Sequence, residues 1–343
     1  MPNHKKKRPS MYDVAKVAGV SQTTVSLVIN RSVAGITEET QARVWAAVDE
    51  LGYRPNFLAR GLASNRTYTI GIISDQIITT PLAVQMIQGA QDCAWENGYI
   101  LLTINTNGIP DMRDAALNAM CDRQVDGIVY ASMYHREVQT HKLLYEHPSV
   151  LLDCFIKDGS LPSVVPDEVL GGQVATEHLL SKGHRRIGML NFADDIPAKF
   201  GRLKGYQQAL EKYDVPFDDR LVYESSNARS EGGYLTAKTI LQKENPPTAL
   251  FCFNDRMAMG AYRAIQESGL TIPDDVSVVG FDNQQLIAAE LFPGLTTMAL
   301  PHYEMGQWAV QYLCDLIDHP EWMRDRQAPQ QRFECPLIVR DSA

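Results

Sequence analysis

The residues best equipped for chemistry stand at the ends of apolar runs. Asp75, Asn105, Ser132, Asp153, Asn191, Asn254 with Asp255, and Asp282 each close or follow such a run. In an open parallel sheet, ligands bind beyond the carboxyl ends of the strands, where these side chains would gather. Carboxylates accept hydrogen bonds and amides both donate and accept, so the set suits a polyhydroxylated ligand. The competing use of each residue is to cap the helix that follows. No serine or cysteine nucleophile stands beside a histidine, and no G-x-x-x-x-G-K-[ST], G-x-S-x-G or G-x-G-x-x-G motif occurs, which argues against an enzyme. Asp194-Asp195, the one adjacent pair that invites a glycosidase reading, fits a solvated loop better. There is no C-x-x-C pair and no histidine at zinc spacing, so neither a metal nor a cofactor is expected, and the six cysteines read as reduced, buried thiols.

A second set of polar groups lies near the N-terminus in GVSQTTVSLVIN, residues 19–30. If a helix opens at Ser21, then Val25, Val28 and Ile29 share one face, while Gln22, Thr23, Ser26 and Asn30 point elsewhere. Ala15, Gly19 and Val25 have the spacing of a helix-turn-helix: a small residue at a close crossing, a glycine in the turn and an aliphatic anchor on the second helix. Amides and hydroxyls on that helix match base edges in a major groove.

The elements that must hold these groups follow from the patterning. Ser10 with Asp13 reads as a capping box, Ser21 as a second cap, and Thr37 with Glu38 and Glu39 as the start of a third helix. Three helices of this length build only a small core. After Tyr53-Arg54, Pro55 breaks the pattern. Beyond Arg66, eight strand candidates appear: 69–74, 99–105, 126–132, 149–155, 186–192, 220–225, 248–254 and 276–282. Helical stretches separate most of them, as in parallel sheets covered on both faces, and Gly98, Gly183 and Gly269 stand where helices need left-handed caps. Eight strands suggest two lobes, with a boundary near the polar interruption at 162–172.

Charge separates the two regions. Residues 1–66 hold ten Lys/Arg and five Asp/Glu, net +5, and the remainder holds 22 against 36, net −14, giving −9 in all. A basic head on an acidic body points to a polyanion partner for the head alone. The chain has no apolar run long enough to span a bilayer and no apolar block after its basic N-terminus, so a cytoplasmic protein with no membrane partner is expected.

The words MYDVAKVAGVSQTTVSLVIN, ITEETQARVWAAVDELGYRPNFLARGLAS, NDRMAMGAYRAIQESGLTIPDDVSVVGFDN and LTTM resemble, in order, the motifs of the lactose-repressor and galactose-repressor family of bacterial transcription regulators. The resemblance runs over essentially the whole chain. It implies an all-α helix-turn-helix head over 1–54, a hinge helix and linker over 55–66, and an α/β, two-lobed, periplasmic-binding-protein-like body over 67–343 with two parallel doubly wound sheets. It further implies three crossings between the lobes, lobe 1 taking about 67–165 plus 293–322 and lobe 2 about 166–292 plus 323–343. A homodimer on operator DNA, controlled by a small-molecule effector, is the implied assembly. The tetramerising members carry a leucine-heptad tail; here the chain stops at Ser342-Ala343.

Residue by residue, the resemblance assigns base reading to Gln22 and Thr23, supporting DNA contacts to Ser21, Thr24, Ser26, Asn30 and Asn56, and a phosphate contact to Tyr12. Leu62, with Ala59 beside it, matches the leucine that wedges into the minor groove. Leu27 stands where many relatives place a guanine-reading arginine and offers only apolar contact, for example to a thymine methyl. In the body, Arg202 matches the arginine that grips ligand oxygens. Asp75, Asp153, Asn254 and Asp282 are the polar contacts, and His302 holds a position near the pocket. Ala228 replaces the stacking tryptophan of the lactose-binding member. The stretches 79–81 and 299–302 resemble sucrose or fructoside regulators, which makes a sugar effector the expectation. A nucleobase or nucleoside is the alternative, with Phe155, Phe192 and Phe281 as candidate stacking faces. A hinge of roughly nine residues containing Gly61 is too short for a stable isolated helix, so effector control through hinge folding is expected.

Overall fold

A computed structural model describes residues 9–29, 33–54, 66–77, 80–81, 83–139, 141–325 and 327–343. The chain divides into two units at the Tyr68/Thr69 junction.

In the first unit, α1 (Met11–Ala18) opens on Ser10, whose Oγ accepts the Asp13 N–H while Asp13 Oδ2 accepts the Ser10 N–H at 2.8 Å. Two of the otherwise orphaned donors are thereby satisfied. The helix ends at Gly19, φ 65°, which frees the chain to turn into α2 (Gln22–Ile29). Thr37 caps α3 (Glu38–Leu51), which stops at Gly52, φ 59°. Val14, Ala15, Ala18, Val25, Val28, Val44, Ala47 and Val48 form one core. Tyr53, which the patterning left outside the helices, is buried in it as well.

In the second unit the elements run β1 (Thr69–Ser74), α4 (Val84–Glu96), β2 (Ile100–Asn105), α5 (Pro110–Asp122), β3 (Gly127–Glu137), α6 (Leu143–Glu146), β4 (Ser149–Phe155) and β5 (Ser163–Pro166). They continue with α7 (Glu168–Ser181), β6 (Ile187–Phe192), α8 (Pro197–Lys212), β7 (Val222–Ser225), α9 (Ser230–Leu241), β8 (Ala249–Cys252), α10 (Asp255–Glu267), β9 (Ser277–Asp282) and β10 (Thr296–Ala299). The chain ends with α11 (His302–Asp318), α12 (Trp322–Asp325), β11 (Gln330–Phe333) and β12 (Leu337–Ile338).

Two six-stranded sheets result, ordered β11-β5-β4-β3-β1-β2 and β12-β10-β9-β8-β6-β7. Every pairing is parallel except β12 with β10. The helix pairs α7/α8, α9/α10 and α4/α11 cross at glycines: a Cβ on Gly205 would strike the Val169 carbonyl, one on Gly233 the Met257 carbonyl and one on Gly306 the Met86 carbonyl.

All eight expected strands are present, and four others are added, which corrects the domain boundaries. The interruption at 162–172 contains the buried strand β5 and the first turn of α7. β10 pairs with β9, so 296–299 belongs to the second lobe, and β11 pairs with β5, so 330–333 belongs to the first. Three crossings do occur, at 166–168, 299–302 and 333–337, each later or earlier than expected. These strands have two to four residues, too short to show a period of their own, and β11 finds its partner β5 far away in sequence. Five cysteines are buried free thiols; Cys121 is only half-buried, its Sγ 3.3 Å from His147 Nε2.

Candidate effector cavity and DNA-reading helix

On α2, Val25 and Val28 are buried, and Ser21, Gln22, Thr23 and Leu27 are exposed. Ser21 Oγ accepts the Thr24 N–H at 3.0 Å and lies 2.9 Å from Thr24 Oγ1, so this pair of hydroxyls caps the helix. Thr24 and Ser26 are half-buried. Tyr12, on α1, is 62% exposed. The helix therefore leaves an amide and a hydroxyl toward solvent at its N-terminal end and an aliphatic side chain farther along, the chemistry suited to base edges. Asn30, Asn56, Ala59 and Leu62 lie outside the described residues.

Between the lobes is a cavity of about 190 Å³. Five of the six expected ligand residues line it: Asp153, Arg202, Asn254, Asp282 and His302. Asp75 does not. Its carboxylate accepts Ser132 Oγ–H at 2.7 Å and the Met133 N–H at 3.2 Å, so it shapes the end of β3. The difference has a local setting: β3 breaks register with β4 between Ala131 and Arg136, and Asp75, one residue past β1, accepts from Ser132 and Met133 within that break.

That break positions the first lobe's wall. Tyr134 and His135 adopt φ of 70° and 46°, and Asp153, on β4, adopts 54°. The backbone N–H groups of Tyr134 and His135 donate to Asp153, whose Oδ1 has no partner. Three non-glycine residues in the left-handed region at one site is strain of the kind that functional sites retain. Burial, reinforced by the Glu168 carboxylate, raises the Asp153 carboxyl well above its ordinary value. The protonated form is thereby favoured at the cavity wall.

The second lobe's wall is built around Arg202 on α8. Its Nε and Nη2 donate to Glu168 at 2.7 and 3.2 Å, its Nη1 donates to the Phe253 carbonyl, and its guanidinium lies 3.7 Å from the Phe281 ring centre and 4.4 Å from that of Phe253. Asp282 Oδ1 is 3.9 Å from Nη2, and its Oδ2 accepts the Gln284 amide at 3.0 Å. Burial pushes the Asp282 carboxyl up to about 6, with Arg202 pulling the other way. Asn254 caps α10 through Oδ1 to the Met257 N–H at 2.9 Å and donates to the Ala228 carbonyl at 3.1 Å, so structural capping and cavity lining coexist in one residue. Asp255 accepts from Thr297 Oγ1 and the Gln284 N–H, both at 2.6 Å, fixing the loop after β9.

The sequence reading missed Tyr134, Glu168, Phe253, Arg256 and Gln284, all of which line the cavity. Phe253 sits one residue past β8, a position the strand-end rule reaches. Tyr134 and Glu168 carry no such signal, because a register break and a lobe crossing deliver them. None of the three phenylalanines offered for stacking lines the cavity: Phe281 lies beneath Arg202, Phe192 against Phe253, and Phe155 against His135.

A helix-turn-helix unit and, in the same chain, a two-lobed α/β unit that encloses a cavity at its strand ends define a ligand-responsive DNA-binding regulator. A model described as bacterial regulatory proteins, lacI family, matches residues 10–56, and one described as a periplasmic binding protein-like domain matches residues 176–343. The chain is 35% identical to the HTH-type transcriptional repressor PurR of Vibrio atlanticus over 96% of its own length and 97% of the relative's. It is 33% identical to the ribose operon repressor of Escherichia coli over 92% and 96%. The Lac repressor bound to ONPG in its repressed state superimposes with a TM-score of 0.78 at 26% identity, covering 98% of this chain and 100% of that one. The protein belongs to the lacI family of bacterial transcription regulators. It is a regulator, not an enzyme, and operator binding, dimerisation and a small-molecule effector are typical of its family. No helix among the described residues is long and apolar enough to cross a membrane.

Proposed function

We propose that the protein is a dimeric transcriptional repressor whose operator affinity is set by a nucleobase or nucleoside bound between its lobes. The observation that carries this is the small cavity with the buried Asp153 carboxyl, its Oδ1 unpartnered, on the first-lobe wall; burial favours its protonated form. A carboxylic acid both donates and accepts in one plane, which complements an N–H beside a C=O on a heterocycle edge. Tyr134 and Phe253 supply aromatic walls. A volume of about 190 Å³ lies below the roughly 300–1,000 Å³ of drug-sized sites, which favours a compact effector over a disaccharide such as sucrose. The similarity to a repressor named PurR along the whole chain supports the same reading.

A monosaccharide is the second reading, favoured by one observation: Arg202 covers the Phe253 ring, leaving less open aromatic face for stacking. In the head, Gln22 and Thr23 would read base edges, Leu27 a thymine methyl, and Tyr12 a phosphate. Residues 55–66 would serve as the hinge, with Leu62 at the operator centre. An effector that favours one lobe arrangement shifts operator affinity by linkage. Calorimetric titration with purine and pyrimidine bases, nucleosides, pentoses and hexoses tests the reading, with operator selected from random duplexes and followed by fluorescence anisotropy. Binding of a disaccharide alone would refute both readings, and the direction of the anisotropy change assigns inducer or corepressor.

A further inference from the structure

Two buried polar side-chain atoms among the described residues lining the cavity have no hydrogen-bond partner: Asp153 Oδ1 and Arg256 Nε. They belong to opposite lobes, Asp153 to the end of β4 and Arg256 to the second residue of α10. The other polar groups described above on the second-lobe wall are engaged: Arg202 by Glu168, Asn254 by the α10 backbone and Ala228, Asp282 by Gln284.

Arg256 is also poorly placed for stability. A cation in the first turn of a helix opposes the helix dipole, and a buried guanidinium N–H without an acceptor carries its full desolvation cost. Such a residue is explained by what it will bind. We propose that Arg256 is the second lobe's selectivity residue, donating to an uncharged carbonyl or hydroxyl oxygen of the effector, and that only a ligand spanning the cleft satisfies Arg256 and Asp153 together.

The charges on the wall indicate why the oxygen is uncharged. Arg202 is balanced by Glu168, and Arg256 exerts its field on Asp282. The two guanidiniums are thus already matched by two carboxylates, with the Asp153 carboxyl in addition, so a phosphate would bring unbalanced negative charge. The inference rests on the compact-effector reading above and adds to it the exclusion of phosphate esters and the residue responsible.

The test uses the full-length protein and Arg256→Met. Thermal melting is measured without ligand and with adenosine, ribose and fructose, each against its phosphate ester. The expected results are that at least one uncharged compound stabilises the wild type while its ester does not, and that Arg256→Met binds that compound roughly tenfold or more weakly. Without ligand, the variant should melt no lower than the wild type. An ester that binds better than its parent, undiminished binding by the variant, or a variant melting several degrees lower when unliganded would each overturn the proposal. If no compound shifts the wild type, the nucleoside and monosaccharide readings fail for these compounds. The unliganded comparison then still decides whether Arg256 is held for a ligand or for the fold.

Discussion

The buried carboxyl of Asp282 allows a test of how the cavity is built. Its pKa rises from 3.8 to about 6 because burial outweighs the Arg202 guanidinium 3.9 Å away. A carboxyl that holds its proton more tightly in the folded chain stabilises the fold in full below its unfolded value. That contribution is lost as pH rises through the folded value. About two units of displacement correspond to about 3 kcal/mol in all, of which roughly 2 kcal/mol is lost between about pH 4.5 and 7.5. Asp282→Asn keeps the shape and cannot ionise, so its stability relative to the wild type should grow by roughly 2 kcal/mol over that interval. Urea unfolding of both proteins by circular dichroism, at one protein concentration because dimerisation adds to apparent stability, measures the difference. Asp153, raised by burial and by Glu168, titrates in both proteins and cancels. A difference that stays flat or shrinks as pH rises would mean that Arg202 and Asp282 form a net stabilising ion pair, and the account of the wall would be wrong.

Glu168→Ala leaves Arg202 buried without its two-bond partner and should cost about 3–5 kcal/mol in urea unfolding; a loss under about 1 kcal/mol would show that the cavity rehydrates freely. Gly205→Ala drives a methyl into the Val169 carbonyl at the α7/α8 crossing, so a loss of about 1–3 kcal/mol or more is expected, and an unchanged melting temperature would contradict the packing. Ser10→Ala removes the capping box of α1 and should lower head stability by about 1 kcal/mol, visible as a shift of the helical melt; no shift would mean the cap is idle. In a base-by-base affinity scan, the position facing Leu27 should lack a strong guanine preference, and Gln22→Ala should change base preference where Tyr12→Phe weakens all sequences alike. A strong guanine preference retained there would assign that reading to another residue.

Much of the head was legible because its rules are local. Ser10, Thr37, Gly19 and Gly52 act within three or four residues of themselves, so caps and turns fell where the residue types put them. The long strands were legible for a similar reason: six or seven apolar residues bounded by glycine and helix signals leave little choice. The sites at strand ends, Asp153, Asn254 and Asp282, followed from the parallel order of the sheets. Asp75 obeyed the same rule and yet was engaged by Ser132 and Met133, since the rule locates a residue at an edge and does not say which neighbour takes its carboxylate.

By itself, the sequence determined the helix caps, the eight principal strands, the charge contrast between head and body, and the family membership carried by its motif words. These rest on nearest-neighbour chemistry and on periodicity, which a linear string contains. Tertiary structure alone decided the pairing of β5, β10, β11 and β12, the engagement of Asp75 by Ser132 and Met133, and the arrival of Tyr134, Glu168 and Arg256 in the cavity. The physical reason is that a four-residue strand, a register break and an unpaired guanidinium are defined by partners outside their own stretch of chain, as β5 is by β4 and by the distant β11. Only the folded chain says which of those partners are near.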